Sequence, residues 1–245
     1  ELSLEGTPTW TELHPTGTAP SGRLAGAAVY DPLRQRFVGF GGTAGMPCDT
    51  WQLRLAGEPV WTPFPPDVGR PRAGYGMTTI HDPIRDRMVI FGGSVSDDYF
   101  GVHNEVWEFS LSGQPQWTQI FPADAPPCPR RTLTSIYDPM RDRMVIYGGW
   151  DSTVNGTASF LGDTWQLNLE GIPQWTQLDP AGPLPTGRDA VAAAYDPAHD
   201  RLVVFGGWSG AEFLRDTWFL SWGESPEDAV VTGQEVSHMV AVVPG

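Results

Sequence analysis

The chain contains no lysine: all fifteen of its basic side chains are arginine, set against 29 acidic residues for a net charge of −14. That absence excludes a phosphate-binding P-loop, whose lysine reaches the phosphates. The negative balance argues against nucleic acid and against anionic lipid surfaces as partners. It also fits simple solubility or a GC-rich coding sequence. Cysteine is nearly absent, with Cys48 and Cys128 alone, so a disulfide framework is excluded. No apolar run approaches the eighteen residues that cross a bilayer, and no dozen residues keep a helical period, so neither membrane insertion nor a helical domain is expected. Residue 1 is glutamate and no secretory leader follows it. A leader removed earlier would leave no trace, so compartment is weakly constrained.

What the chain has is punctuation. There are 29 glycines, 24 prolines and 11 tryptophans, and apolar runs of five to eight residues lie between the breakers. This is the pattern of many short strands joined by turns. One segment recurs four times: YDPLRQRFVGFGG at 30–42, HDPIRDRMVIFGG at 81–93, YDPMRDRMVIYGG at 137–149 and YDPAHDRLVVFGG at 195–207. A second follows each copy: DTWQLRLAGEPVWT at 49–62, EVWEFSLSGQPQWT at 105–118, DTWQLNLEGIPQWT at 163–176 and a shortened DTWFLSW at 216–222. The tryptophans Trp51 and Trp61, Trp107 and Trp117, and Trp165 and Trp175 stand ten apart, and Trp218 opens the fourth copy without a partner at 228. Arginines Arg23, Arg130 and Arg188 open three units, each thirteen residues after a tryptophan; unit two has Gly74 there.

A period of 51–58 residues holding four strand-sized pieces is the signature of a propeller blade. The expected strands are a (24–30, 75–81, 131–137, 189–195), b (36–42, 87–93, 143–149, 201–207), c (50–55, 106–111, 164–169, 217–222) and d (60–64, 116–120, 174–178). Asp-Pro supplies the a–b turn. The pairs Gly41–Gly42, Gly92–Gly93, Gly148–Gly149 and Gly206–Gly207 permit a turn or a close backbone approach. The tryptophans are expected to fill the space between neighbouring sheets. The repeated Asp86–Arg87, Asp142–Arg143 and Asp200–Arg201 pairs, present in several units, read as scaffold ion pairs.

These residues resemble kelch repeats, and the YDPxxDRxVxFGG core is especially similar to the bacterial form. The resemblance covers residues 1 to about 222 and implies an all-β propeller of four-stranded blades, commonly five to seven. The units run near 23–65, 72–121, 130–179 and 188–222, after a partial blade at 1–22. ELSLEGTPTWT aligns with QLRLAGEPVWT, which places the start in mid-blade and leads us to expect a processed chain or part of a longer array. Two closures follow. Either the strand around Trp10 completes the fourth unit, giving four blades, or the tail 223–245 supplies its outer strand and begins a further blade.

One interval varies. From the second glycine of each pair to the strand-c tryptophan, the separations are 9, 14, 16 and 11. The variable b–c loops carry Tyr99, Phe100, Trp150, Phe160, Trp208 and Phe213 beside Asp97, Asp98, Asp151 and Glu212. Variable loops on a rigid frame are where binding resides, although the same aromatics could simply pin the loops. Trp150 is the leading candidate. Asp97, Asp98 and His103 are weak metal candidates; the five histidines show no ligand spacing. No nucleophile–base motif is visible, and the Tyr, His and Cys set of kelch-like copper oxidases is absent. Cys48 and Cys128 fall in different units, too far apart to expect a disulfide. The expectation is a cofactor-free binding scaffold for a protein or glycan, outside a bacterial cell. An enzyme at the same face and a purely structural module of a larger surface assembly are the alternatives.

Overall fold

The structure is a computed structural model and describes residues 2–3, 7–42, 48–65, 69–72, 74–95, 101–151, 159–222, 230–235 and 238–239. A short hairpin, β1 (Leu2–Ser3) and β2 (Thr9–Trp10), and a two-residue strand, β3 (Thr16–Gly17), precede the blades. Blade 1 is β4 (Ala27–Asp31), β5 (Arg36–Phe40), β6 (Thr50–Arg54) and β7 (Val60–Pro63), and blade 2 is β8 (Thr78–Asp82), β9 (Arg87–Phe91), β10 (Val106–Ser110) and β11 (Trp117–Ile120). Blade 3 is β12 (Thr134–Asp138), β13 (Arg143–Tyr147), β16 (Thr164–Asn168) and β17 (Gln174–Leu178), with the small hairpin β14 (Trp150–Asp151) and β15 (Ser159–Phe160) set into its b–c loop. Blade 4 is β18 (Ala192–Asp196), β19 (Arg201–Phe205), β20 (Thr217–Ser221) and β21 (Val230–Glu235), followed by β22 (His238–Met239). Each blade is an antiparallel a–b–c–d meander, as the repeat predicts.

Strand a begins three residues later than expected. Ala25, Thr132 and Ala190 have φ near +55° and Gly76 has +66°, so the chain turns sharply before it extends. Backbone N–H groups of these residues join the blades: Gly76 donates to Ala25 O at 2.9 Å, Thr132 to Gly76 O at 2.6 Å and Ala190 to Thr132 O at 2.8 Å. They form a collar about the propeller axis. Strand b ends before its double glycine, because both glycines have positive φ. A Cβ on Gly148 would lie 2.6 Å from the carbonyl oxygen of Arg188, and one on Gly92 2.6 Å from that of Arg130. The close approach expected of the glycines is thus to the opening backbone of the next blade.

The a–b turn is held by its aspartate. Asp82 Oδ1 accepts from the N–H groups of Ile84 and Arg85, each at 3.1 Å, and the next residue closes the hairpin in the left-handed region (Asp86, φ +51°), which aspartate tolerates. Asp31, Asp82 and Asp138 are fully buried and take the Nε–H of Arg36, Arg87 and Arg143 at 2.8 Å. The Asp-Arg neighbours in sequence are therefore not partners. Asp86 pairs instead with Arg34 of the preceding blade, Asp142 with Arg85, and Asp200 with Arg141. This ladder runs from blade to blade on the turn face. Its end positions are Gln35, where the other blades carry aspartate, and His199, where they carry arginine.

The core lies between blades, in three layers. Trp117 packs on Phe40 of blade 1 at 4.6 Å and Trp175 on Phe91 of blade 2 at 4.8 Å, so these two strand-d tryptophans fill the space between sheets, whereas Trp61 packs edge-on against Phe37 of its own blade. Strands β9 and β13 are buried along their whole length, whereas β5 and β19 are buried on alternate residues. The inner strands contact in the order β4, β8, β12, β18. Among the described residues no comparable contact joins β18 to β4. Tyr30 on the outer face of blade 1 and Phe205 on that of blade 4 are each about half exposed.

Pairing shows which strand lies beside strand c of blade 4. β21 in the tail runs antiparallel to β20 and supplies strand d of blade 4. β2 pairs with β1 rather than with blade 4, and Leu2 lies opposite Trp10 as Leu53 lies opposite Trp61. The N-terminal hairpin thus has the c–d register of a blade. In blade 4 the strand-d tryptophan position falls on Val231, opposite Leu220, and not on residue 228.

Candidate functional site

The b–c loops and the d–a connections share the face on which the collar lies. The loop bases are fixed by the opening arginines. Arg130 is wholly buried and donates to Gly148 O at 3.1 Å and to both carboxylate oxygens of Asp163 at 2.7 and 2.9 Å. Asp163 in turn accepts from the indole N–H of Trp165 at 2.7 Å. Arg188, Gly206, Asp216 and Trp218 repeat the clasp in blade 4, and Arg23, Gly41 and Asp49 repeat its arginine part in blade 1. Burial works to raise the carboxyl pKa of Asp163, but Arg130 outweighs it and holds the group below its ordinary range. In blades 3 and 4 these are charge-assisted bidentate bonds from buried arginines, and they fix the loop bases.

Of the sequence candidates, Tyr99, Phe100, Asp97 and Asp98 lie outside the described residues. His103 is half-buried and its backbone is tied to both neighbours: its N–H donates to Gly93 O at 2.8 Å and its carbonyl accepts from Arg130 N at 3.0 Å. Among the described residues no three His, Cys, Asp or Glu side chains gather as a metal cluster. Cys48 and Cys128 are unpaired thiols. Cys128 Sγ accepts from Arg130 at 3.2 Å.

Trp150 is not presented to solvent; of the two readings of the loop aromatics, it follows the one in which they pin the loop. It is 5% exposed, lies opposite Phe160 in the β14–β15 hairpin, and stacks under the guanidinium of Arg131 at 4.7 Å. Asp151 beside it is fully buried. Trp150 pins the base of the longest loop, its ring held between the hairpin partner Phe160 and the guanidinium of Arg131. Phe160 is half-buried and packs toward blade 4: a Cβ on Gly210 would come within 2.5 Å of its ring. Loop 4 differs. Trp208 and Phe213 bridge across it with ring centroids 4.7 Å apart, Leu214 N–H donates to Gly207 O at 2.8 Å, and Ser209 N–H donates to Glu212 O at 3.2 Å. Phe213 nevertheless stands 84% exposed on this braced loop.

A second set of varied residues lies just before strand a, outside the b–c loops. Leu24, Tyr75, Arg131 and Asp189 precede the collar residues in the four blades and ring the axis on the loop face. Tyr75, Arg131 and Asp189 bridge to Ser94, Trp150 and Trp208 of the b–c loops. Arg131 sits between the rings of Tyr75, at 5.5 Å, and Trp150. Burial raises the Asp189 carboxyl above its ordinary value, opposed by the hydroxyl of Thr132 at 2.9 Å. The signal was available: this position is Leu, Tyr, Arg and Asp inside an otherwise repeated unit.

The repeat, the blade topology and the glycine contacts define the class: this is a kelch-type β-propeller. The chain matches the KLHDC2/KLHL20/DRC7 Kelch-repeats domain over residues 3–172 and belongs to the kelch-repeat family. It is 30% identical over 130 residues to a leucine-zipper-like transcriptional regulator 1 homolog of Drosophila melanogaster, covering 51% of this chain and 12% of that protein. It is 26% identical over 143 residues to the dynein alpha chain of the flagellar outer arm of Chlamydomonas reinhardtii, covering 57% of this chain and 3% of that protein. The match thus spans a small part of either relative. Among solved structures YjhT aligns with a TM-score of 0.65 at 14% identity, over 91% of this chain and 71% of that one, a likeness of fold.

Proposed function

We propose that this propeller is a non-enzymatic interaction scaffold whose b–c loop face receives a protein partner. The observation that carries the reading is Phe213, a large aromatic 84% exposed on a loop braced by Trp208 and by its own backbone bonds. Aromatic anchors held rigid before binding lose little entropy on association and dominate interface energies. Glu212 beside it and the exposed or half-buried axial residues Leu24, Tyr75 and Asp189 add a varied rim, as a specific rather than a generic surface requires. Kelch membership supports the same reading at the level of class.

Affinity capture with chemical cross-linking from the native host, run in parallel on the wild type and on Phe213→Ser, tests it. Phe213 is exposed, so the variant is expected to keep its melting temperature while losing at least tenfold in captured partner, with cross-links mapping to blades 3 and 4. Equal capture by both proteins, or cross-links confined to the turn face, would count against the loop face. A glycan array run on the same pair reads the carbohydrate alternative: glycan binding that Phe213→Ser removes replaces protein with saccharide as the ligand class.

A further inference from the structure

Blade 1 departs from its repeats at the turn end of strands β5 and β6. Arg36 and Arg54 lie directly opposite each other on one face of the sheet. The same two positions are Arg87 and Ser110 in blade 2, Arg143 and Asn168 in blade 3, and Arg201 and Ser221 in blade 4. Like charges directly across a ladder destabilise it, and an anion between them reverses that sign. A second departure adds to the first. Arg87 bonds the carboxylate of Glu108, whereas Arg36 Nη1 meets the neutral Oε1 of Gln52 at 2.8 Å. Arg34, Arg36 and Arg54 thus stand against only the carboxylates of Asp31 and Asp86, an excess of one positive charge. In blade 2, Arg85 and Arg87 stand against Asp82, Asp142 and Glu108, an excess of one negative charge. In blade 3 the guanidinium of Arg143 is covered by the ring of Trp222 at 4.2 Å. A chain of net charge −14 therefore gathers positive charge in this one layer.

The three arginines of blade 1 line a cleft of about 310 Å³ with Gln52, Val60 and Thr62. Arg54 and Thr62 are exposed there, and Arg36 is buried beneath them. Arg36 is fixed by Asp31 at 2.8 Å and by Leu111 O at 2.6 Å, so the floor is set before any ligand arrives. We infer that this cleft binds a small carboxylic acid, one carboxylate lying between the guanidinium groups of Arg36 and Arg54. Glu108 serves Arg87 in that way in the next blade, which shows that the fold admits a carboxylate at this position. Arginine–carboxylate bonds are among the stronger charge-assisted pairs. The NH2 group of Gln52, whose oxygen is taken by Arg36, and the hydroxyl of Thr62 are further donors at the same wall. Val60 offers apolar surface to the carbon chain. The site lies toward the turn face and stands whether or not the loop face binds protein.

The test is calorimetric titration of the full chain with succinate at low ionic strength, in parallel with its uncharged diamide, succinamide, and with inorganic phosphate. One succinate per chain is expected to saturate with a Kd on the order of 0.1–1 mM, weakened by added salt, and succinamide is expected not to bind. Arg54→Ser, which installs the blade 2 residue, should weaken succinate about tenfold or more without lowering the melting temperature. Gln52→Glu, which supplies the carboxylate from the protein itself, should abolish binding and raise the melting temperature. No saturable succinate binding up to about 10 mM would overturn the proposal. Binding undiminished in either folded variant would do the same, because the anion would then be held elsewhere. Succinamide bound as well as succinate, or phosphate bound more tightly, would overturn a carboxylate as the group recognised.

Discussion

A single residue type decides how each layer is satisfied. The position before the strand-c tryptophan is Thr50, Val106 and Thr164 in blades 1 to 3. Thr50 accepts the indole N–H of Trp117, whereas Trp175 faces Val106 and its buried N–H has no partner. A buried donor without an acceptor costs about 1–3 kcal/mol. Val106→Thr is isosteric and supplies the missing hydroxyl, so we expect it to stabilise the protein by about 0.5–1.5 kcal/mol. Urea denaturation checks this; a destabilised variant would show that the hydroxyl finds no bond to Trp175. At the same scale the sequence was legible for the tryptophans and glycines, whose roles follow from size and from positive φ. It was not legible for Trp150. Whether a loop aromatic points out or in depends on Arg131, nineteen residues away in sequence and brought alongside by the blade.

Elements are joined mainly by arginine and aspartate. The ladder Arg34–Asp86, Arg85–Asp142 and Arg141–Asp200 links consecutive a–b turns, and in each case the arginine holds the aspartate below its ordinary value of 3.8. The folded protein then binds fewer protons than the unfolded chain in the window just below that value. The stabilisation is present at neutral pH and is lost as pH falls through the depressed folded pKa. Arg85→Gln should cost about 1–2 kcal/mol at neutral pH, the pair being partly screened by solvent. Its deficit against wild type should shrink below about pH 4. A deficit constant across an acid titration of stability would assign the loss to packing of the Arg85 stem instead. The sequence showed that these charges were scaffold, but paired the wrong neighbours: adjacent residues on a tight turn diverge, and the true partners meet only when blades stack.

For the molecule as a whole, stability is distributed by position in the array. Strands β9 and β13 are buried on both faces, while β5 and β19 each have one face less covered. Repeat arrays are stabilised through nearest-neighbour interfaces. Native-state hydrogen exchange should therefore find the slowest amides in β9 and β13 and faster exchange in β5 and β19. A uniform rate across the four strands would show that the blades open only together. The sequence by itself determined the family, the four-stranded blade and the loops in which variation gathers, because spacing, turn residues and glycines act locally and recur. Only the tertiary structure decided which loop aromatics are buried, which charges pair, and that a strand of the tail lies beside strand c of blade 4. Each of those depends on surfaces from two blades meeting, and no interval along one chain records that contact.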